Sequence, residues 1–68
     1  MKLSARNVLP GRVVAVTQGS TTAHVKIEIA PDLMLTSSIT NEAVDDLGLK
    51  VGDGVSVVIK SSDVMIGK

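Results

Sequence analysis

The chain is 68 residues long, with no cysteine, no aromatic residue and one histidine. This excludes a disulfide scaffold and a surface that stacks nucleobases on aromatic rings. Seven Lys and Arg balance seven Asp and Glu, so no net positive field draws nucleic acid, and no apolar run approaches the length of a membrane span.

That length suits one domain, residues 1–68, whose core is thin because a chain this short buries only about 60% of its unfolded surface. The first residues lack a continuous apolar segment of the kind that directs export, so a soluble, cytoplasmic protein is expected. Hydrophobic residues nonetheless make up 44% of the chain. A monomer would leave aliphatic surface in water, so association of subunits is expected, unless the apolar excess reflects only the many small Val and Ala residues.

The valine-rich stretch from Gly11 to Thr17 reads as a strand, and Gln18-Gly19-Ser20 as a tight reversal after it. Residues 22–30 alternate, with Ala23, Val25, Ile27 and Ile29 on one face and His24, Lys26 and Glu28 on the other, which marks a second strand with one wet side. Pro31-Asp32 ends it, and Leu33 to Ile39 resumes an extended pattern. Thr40 or Asn41 can cap a short helix whose Ala43, Val44 and Leu47 share a face, with Gly48 as its stop. After a Gly52-Asp53-Gly54 turn, Val55 to Lys60 reads as a fourth strand and Val64-Met65-Ile66 as a short fifth. Three strands, a helix and two strands is the element order of an all-β, five-stranded Greek-key barrel of the OB type, with the helix between strands 3 and 4. A small open sheet with one helix across it has the same order.

Catalysis is not expected. Nucleophilic chemistry needs Ser or Cys beside an oriented base, and the one imidazole, His24, sits on a strand's polar face next to Lys26 and Glu28, where it reads as solvated. Asp45-Asp46 is the nearest approach to a metal cluster, but adjacent helix residues point in different directions, so a solvated face is the better reading and no metal ligands are assigned. What remains is a set of donors. Ser4, Ala5 and Arg6 bring a hydroxyl, backbone N–H groups and a guanidinium near the start, and Lys60, Ser61 and Ser62 bring an ammonium and two hydroxyls near the end, with no carboxylate in either segment. A doubly charged tetrahedral oxyanion requires such an inventory, although the same residues also read as ordinary polar groups at strand ends.

Ser4-Ala5-Arg6-Asn7 followed by Gly11-Arg12-Val13-Val14, then Ser38-Ile39-Thr40 leading into Val44-Asp45-Asp46-Leu47-Gly48-Leu49, and finally Val58 through Ile66 resemble the molbindin (Mop) domain over nearly the whole chain. The resemblance implies an OB-type fold and molybdate or tungstate as ligand. It also implies a homohexamer arranged as a trimer of dimers, with sites between subunits and neither catalysis nor a catalytic cofactor. By the same resemblance Ser4, Ala5, Arg6, Lys60 and Ser61 are oxyanion contacts, and a second site is placed at the first hairpin, at Gly19, Ser20, Thr21 and Thr22. In this family the hairpin often carries a valine where this chain has Ser20 or Thr21. Intracellular storage or homeostasis of the anion is the function expected. A sensing module that acts through a protein partner is the alternative, which the absence of a second domain disfavours, and a nucleic-acid-binding OB domain is a further rival that the lack of aromatics and of net charge opposes.

Overall fold

The computed structural model describes residues 2–68. Four strands, β1 (Asn7–Gln18), β2 (Thr22–Ala30), β3 (Leu33–Thr40) and β4 (Gly54–Ile59), form one antiparallel sheet in the order β3-β2-β1-β4, with helix α1 (Asn41–Leu47) between β3 and β4 and a 3-10 turn, η1 (Ser61–Asp63), after β4. The reading of an all-β domain with one short helix in that position therefore holds.

β1 begins four residues earlier than the valine pattern suggests, and it works in two halves. Asn7 to Arg12 pair with β4, while Arg12 to Gln18 pair with β2, with the register slipping between Val13 and Ala15. Pro10 is tolerated because it lies where β1 is paired on one side only, opposite Ser56. Gly11 stands where the strand changes partners, and a Cβ there would lie 2.5 Å from Ile27 Cγ2, 2.9 Å from Ile29 Cδ1 and 3.0 Å from the Glu28 carbonyl oxygen. Gly11→Ala is expected to destabilise the subunit by about 1–3 kcal/mol, the usual cost of forcing a methyl into a packed core, as read by urea unfolding.

The alternation in β2 is realised as read: Ala23, Val25 and Ile27 are buried with Val13 and Val44, while His24 and Lys26 face outward and Ile29 packs at the core's margin. Among the described residues these five small or medium aliphatic side chains make up the buried core. Between the two candidate caps the structure selects Thr40, whose hydroxyl accepts from the Ala43 amide at 3.0 Å. Gly48 ends the helix in the left-handed conformation at φ 61°, where a side chain would be strained. Only Val44 of the helix is buried, and Leu47 is 69% exposed.

The fifth strand is a correction. Lys60 leads into η1, and Val64-Met65-Ile66 continue without ladder partners, 47%, 93% and 89% exposed. Three residues gain too little burial to offset the entropy of ordering them unless a strand edge receives them. The sheet's two edges, β3 and β4, instead face each other across an open apolar groove of about 320 Å³, floored by Val13, Val25 and Ile27 and walled by Leu35 and Ile39 on one side and Val55 and Val57 on the other. The sheet curls as a barrel does but is not closed within the described residues of this one chain.

Candidate functional site

The two donor segments meet. Asn7, the first residue of β1, pairs with Ile59, the last of β4, and the Asn7 side-chain amide also donates to the Ile59 carbonyl at 3.2 Å. In an antiparallel pair this register sends Ser4-Ala5-Arg6 and Lys60-Ser61 off the same end of the sheet, so residues more than fifty positions apart in sequence become neighbours. Neither segment is recruited elsewhere. Among the described residues the ion pairs are Arg12–Glu28 at 3.4 Å and Lys50–Asp53 at 3.6 Å, and no hydrogen bond engages the side chains of Ser4, Arg6, Lys60 or Ser61.

Ser4, Arg6, Lys60 and Ser61 are exposed and Ala5 half-buried. An anion held here by one chain alone would remain largely in water, where exposed charges attract weakly. The turn that carries Ser61 is closed by the Asp63 amide donating to the Lys60 carbonyl at 2.8 Å. It thus brings in one carboxylate, Asp63, that lies just past the donor segment and that the sequence reading left out.

Gly19, Ser20, Thr21 and Thr22 lie at the other end of β1, so the structure keeps the second candidate site apart from the first. This hairpin is braced by α1. The Asn41 amide donates to the Thr21 carbonyl and the Asn41 side chain to the Gly19 carbonyl, both at 2.9 Å, while the Gly19 amide donates to the Thr22 carbonyl at 2.8 Å and Gln18 Nε2 to Asp45 Oδ1 at 3.3 Å. Three loop carbonyls are thereby occupied. The Ser20 and Thr21 amides donate to no backbone acceptor among the described residues, and the three hydroxyls of the loop are exposed. A loop with most of its acceptors occupied and with spare donors is suited to anions. Asn41 entered the sequence reading only as an alternative helix cap, since nothing in its spacing announces a contact back to the hairpin.

His24 stands between Thr17 and Ser38 on the sheet's exposed outer face, far in register from the Asn7–Ile59 end and two residues past Thr22 of the hairpin. Among the described residues no three of His, Asp and Glu gather into a group that could hold a metal ion, and no helix is long and apolar enough to cross a membrane.

Comparison with known proteins gives a consistent picture. Residues 3–66 match the TOBE domain family. The chain is 52% identical over 66 residues to molybdenum-pterin-binding protein 3 of Clostridium pasteurianum, covering 97% of each. Among solved structures it is similar to MopII from Clostridium pasteurianum, with a TM-score of 0.91, 45% identity, and 98% of this chain and all of that one covered. It is also similar to a molybdate-binding protein from Sporomusa ovata, with a TM-score of 0.93, 31% identity and full coverage of both chains.

Proposed function

This chain belongs to the TOBE domain family and, within it, to the molbindin (Mop) proteins, and from that premise we propose that it binds molybdate, or tungstate, as an intracellular storage and homeostasis protein. The observation that carries the reading is the Asn7–Ile59 register, which gathers Ser4, Ala5, Arg6, Lys60 and Ser61 into one cationic, hydroxyl-rich end. A dianion leaves water only where charge and hydrogen bonds replace its hydration, and this end offers both. The names of the relatives, molybdenum-pterin-binding and molybdate-binding, agree with that chemistry. The role is binding: the donors carry no paired base, and the protein uses no catalytic cofactor.

The site is completed by assembly into a homo-oligomer, a hexamer built as a trimer of dimers. Two quantities support association. The subunit exposes 5298 Å², whereas a stable monomer of 7.0 kDa is expected to expose about 4,000 Å². The groove between β3 and β4 is also apolar and open, and the chain carries an unpaired apolar segment, Val64 to Ile66, directly after the donor turn. Insertion of that segment from a second copy closes a five-stranded OB-type barrel and carries Lys60 and Ser61 into the neighbour's surroundings, where water is excluded. The hairpin residues Gly19, Ser20, Thr21 and Thr22 form the second oxyanion site, again where subunits meet. Nucleic acid and membrane have no part in this assembly.

The test is to titrate molybdate, tungstate and sulfate into one sample whose mass is known from light scattering. A mass of six subunits, with the two larger oxyanions bound in preference to sulfate, is the expected result. A monomer without affinity for any of them overturns the reading. Arg6→Ala is expected to weaken binding by about 1.5–3 kcal/mol, the worth of a hydrogen bond to a charged group, with mass and fold unchanged. Calorimetry on the variant decides whether Arg6 belongs to the site.

A further inference from the structure

Asn41 is the first residue of α1, yet its polar groups are directed at the β1–β2 hairpin rather than at its own helix. Its backbone amide and its Nδ2 hold the carbonyls of Thr21 and Gly19, each at 2.9 Å. Peptide units are planar and trans, so a carbonyl that points toward Asn41 obliges the N–H of the same unit to point the opposite way. The unit of the Gly19 carbonyl carries the Ser20 N–H, and that of the Thr21 carbonyl carries the Thr22 N–H. The side-chain contact therefore aims the Ser20 amide away from the helix, whereas the Thr22 N–H, in a strand residue whose own carbonyl accepts from Gly19, points across the hairpin toward β1.

The side-chain amide has no freedom to relax. Its Oδ1 is buried without a hydrogen-bond partner, and turning the group over would set that oxygen against the Gly19 carbonyl, acceptor to acceptor. A buried acceptor without a donor is costly, and the reversed orientation would add the loss of the Nδ2 contact to Gly19 to that cost, so the observed orientation is the one kept. No other side chain among the described residues hydrogen-bonds to the backbone of Gly19 to Thr22.

We propose that Asn41 is a positioning residue for oxyanion binding at the hairpin: its side chain clamps the Gly19 carbonyl so that the Ser20 amide, with the loop hydroxyls, faces the anion. The proposal rests on the reading of Gly19 to Thr22 as a second oxyanion site. Asn41 itself does not touch the ligand.

The experiment uses the assembled protein, molybdate as the probe, and Arg6→Ala combined with Lys60→Glu as a background that isolates the hairpin. In that background, adding Asn41→Ala is expected to lower the remaining molybdate affinity at least about tenfold and to speed hydrogen exchange of the Gly19 amide, while Asn41→Ala alone leaves the Arg6-dependent binding in place. Asn41→Ser, too short to reach Gly19 but suited to a helix start, is expected to act likewise and covers the case in which the alanine variant fails to fold. Faster Gly19 exchange with unaltered residual affinity overturns the proposal and leaves Asn41 a structural brace only. Absence of any residual binding in the combined background overturns the hairpin site itself, and the proposal with it.

Discussion

A Lys60→Glu chain is expected to fold and to lose at least about two orders of magnitude of molybdate affinity at the end of the sheet where the termini meet. Lys60 is exposed, makes no ion pair among the described residues and caps η1 with no side-chain hydrogen bond. Its replacement therefore leaves the fold within about 0.5 kcal/mol. The ligand is affected twice. A charge-assisted hydrogen bond worth about 1.5–3 kcal/mol is lost, and a carboxylate is placed beside the dianion. Even with solvent screening, a combined penalty of about 3 kcal/mol corresponds to roughly a hundredfold in Kd. Because the new term is repulsive, residual binding by this variant is expected to improve as salt rises, whereas binding by the unaltered chain weakens. Affinity equal to that of the unaltered chain, in a protein of the same mass, would remove Lys60 from the site.

Ile66→Asp is the variant with the largest expected effect on assembly. Ile66 is 89% exposed in the single subunit, so the change costs the subunit's own core almost nothing. In an extended segment Val64 and Ile66 share a face, and that face meets the apolar groove when a second copy's tail occupies it. The variant forfeits about 2 kcal/mol of aliphatic burial and must desolvate an unpaired carboxylate at several kcal/mol more. At about 1.4 kcal/mol per factor of ten, association is expected to weaken by three orders of magnitude or more, and light scattering is expected to report the mass of one subunit with β-sheet circular dichroism retained. Molybdate affinity is expected to fall with it, since Lys60 and Ser61 no longer reach the neighbour. An assembly of undiminished mass would show that the groove is closed by something other than the tail.

The two expected losses separate local chemistry from assembly. Lys60→Glu affects the ligand within an intact oligomer, and Ile66→Asp dissolves the oligomer while every donor side chain remains. If anion sites formed within single subunits, the second variant would keep its affinity.

Much of the fold is legible in the order of residues, because short-range chemistry sets it. The alternation of Ala23, Val25 and Ile27 declares which face of β2 is buried, Pro31-Asp32 and Gly48 act as stops, and Thr40 supplies a hydroxyl at the distance a helix start requires. The donor residues are legible too, since Ser4-Ala5-Arg6 and Lys60-Ser61 lack a carboxylate among them. What periodicity could not supply is the partner of each segment. Asn7 to Pro10 lack a strand signal, yet they become strand through β4, whereas Val64 to Ile66 carry that signal and form none because no edge in the single chain receives them.

By itself, then, the sequence determined the elements and the chemical character of the two ends: local propensity, hydrophobic period and charge are properties of neighbouring residues and need no partner. Only the tertiary structure decided that Arg6 and Lys60 leave the same end of the sheet, that the hairpin lies at the opposite end of β1 under the hold of Asn41, and that one strand position is left open. Those are matters of register between segments tens of residues apart, and register is settled where side chains interlock across strands, a comparison that no stretch of sequence contains alone.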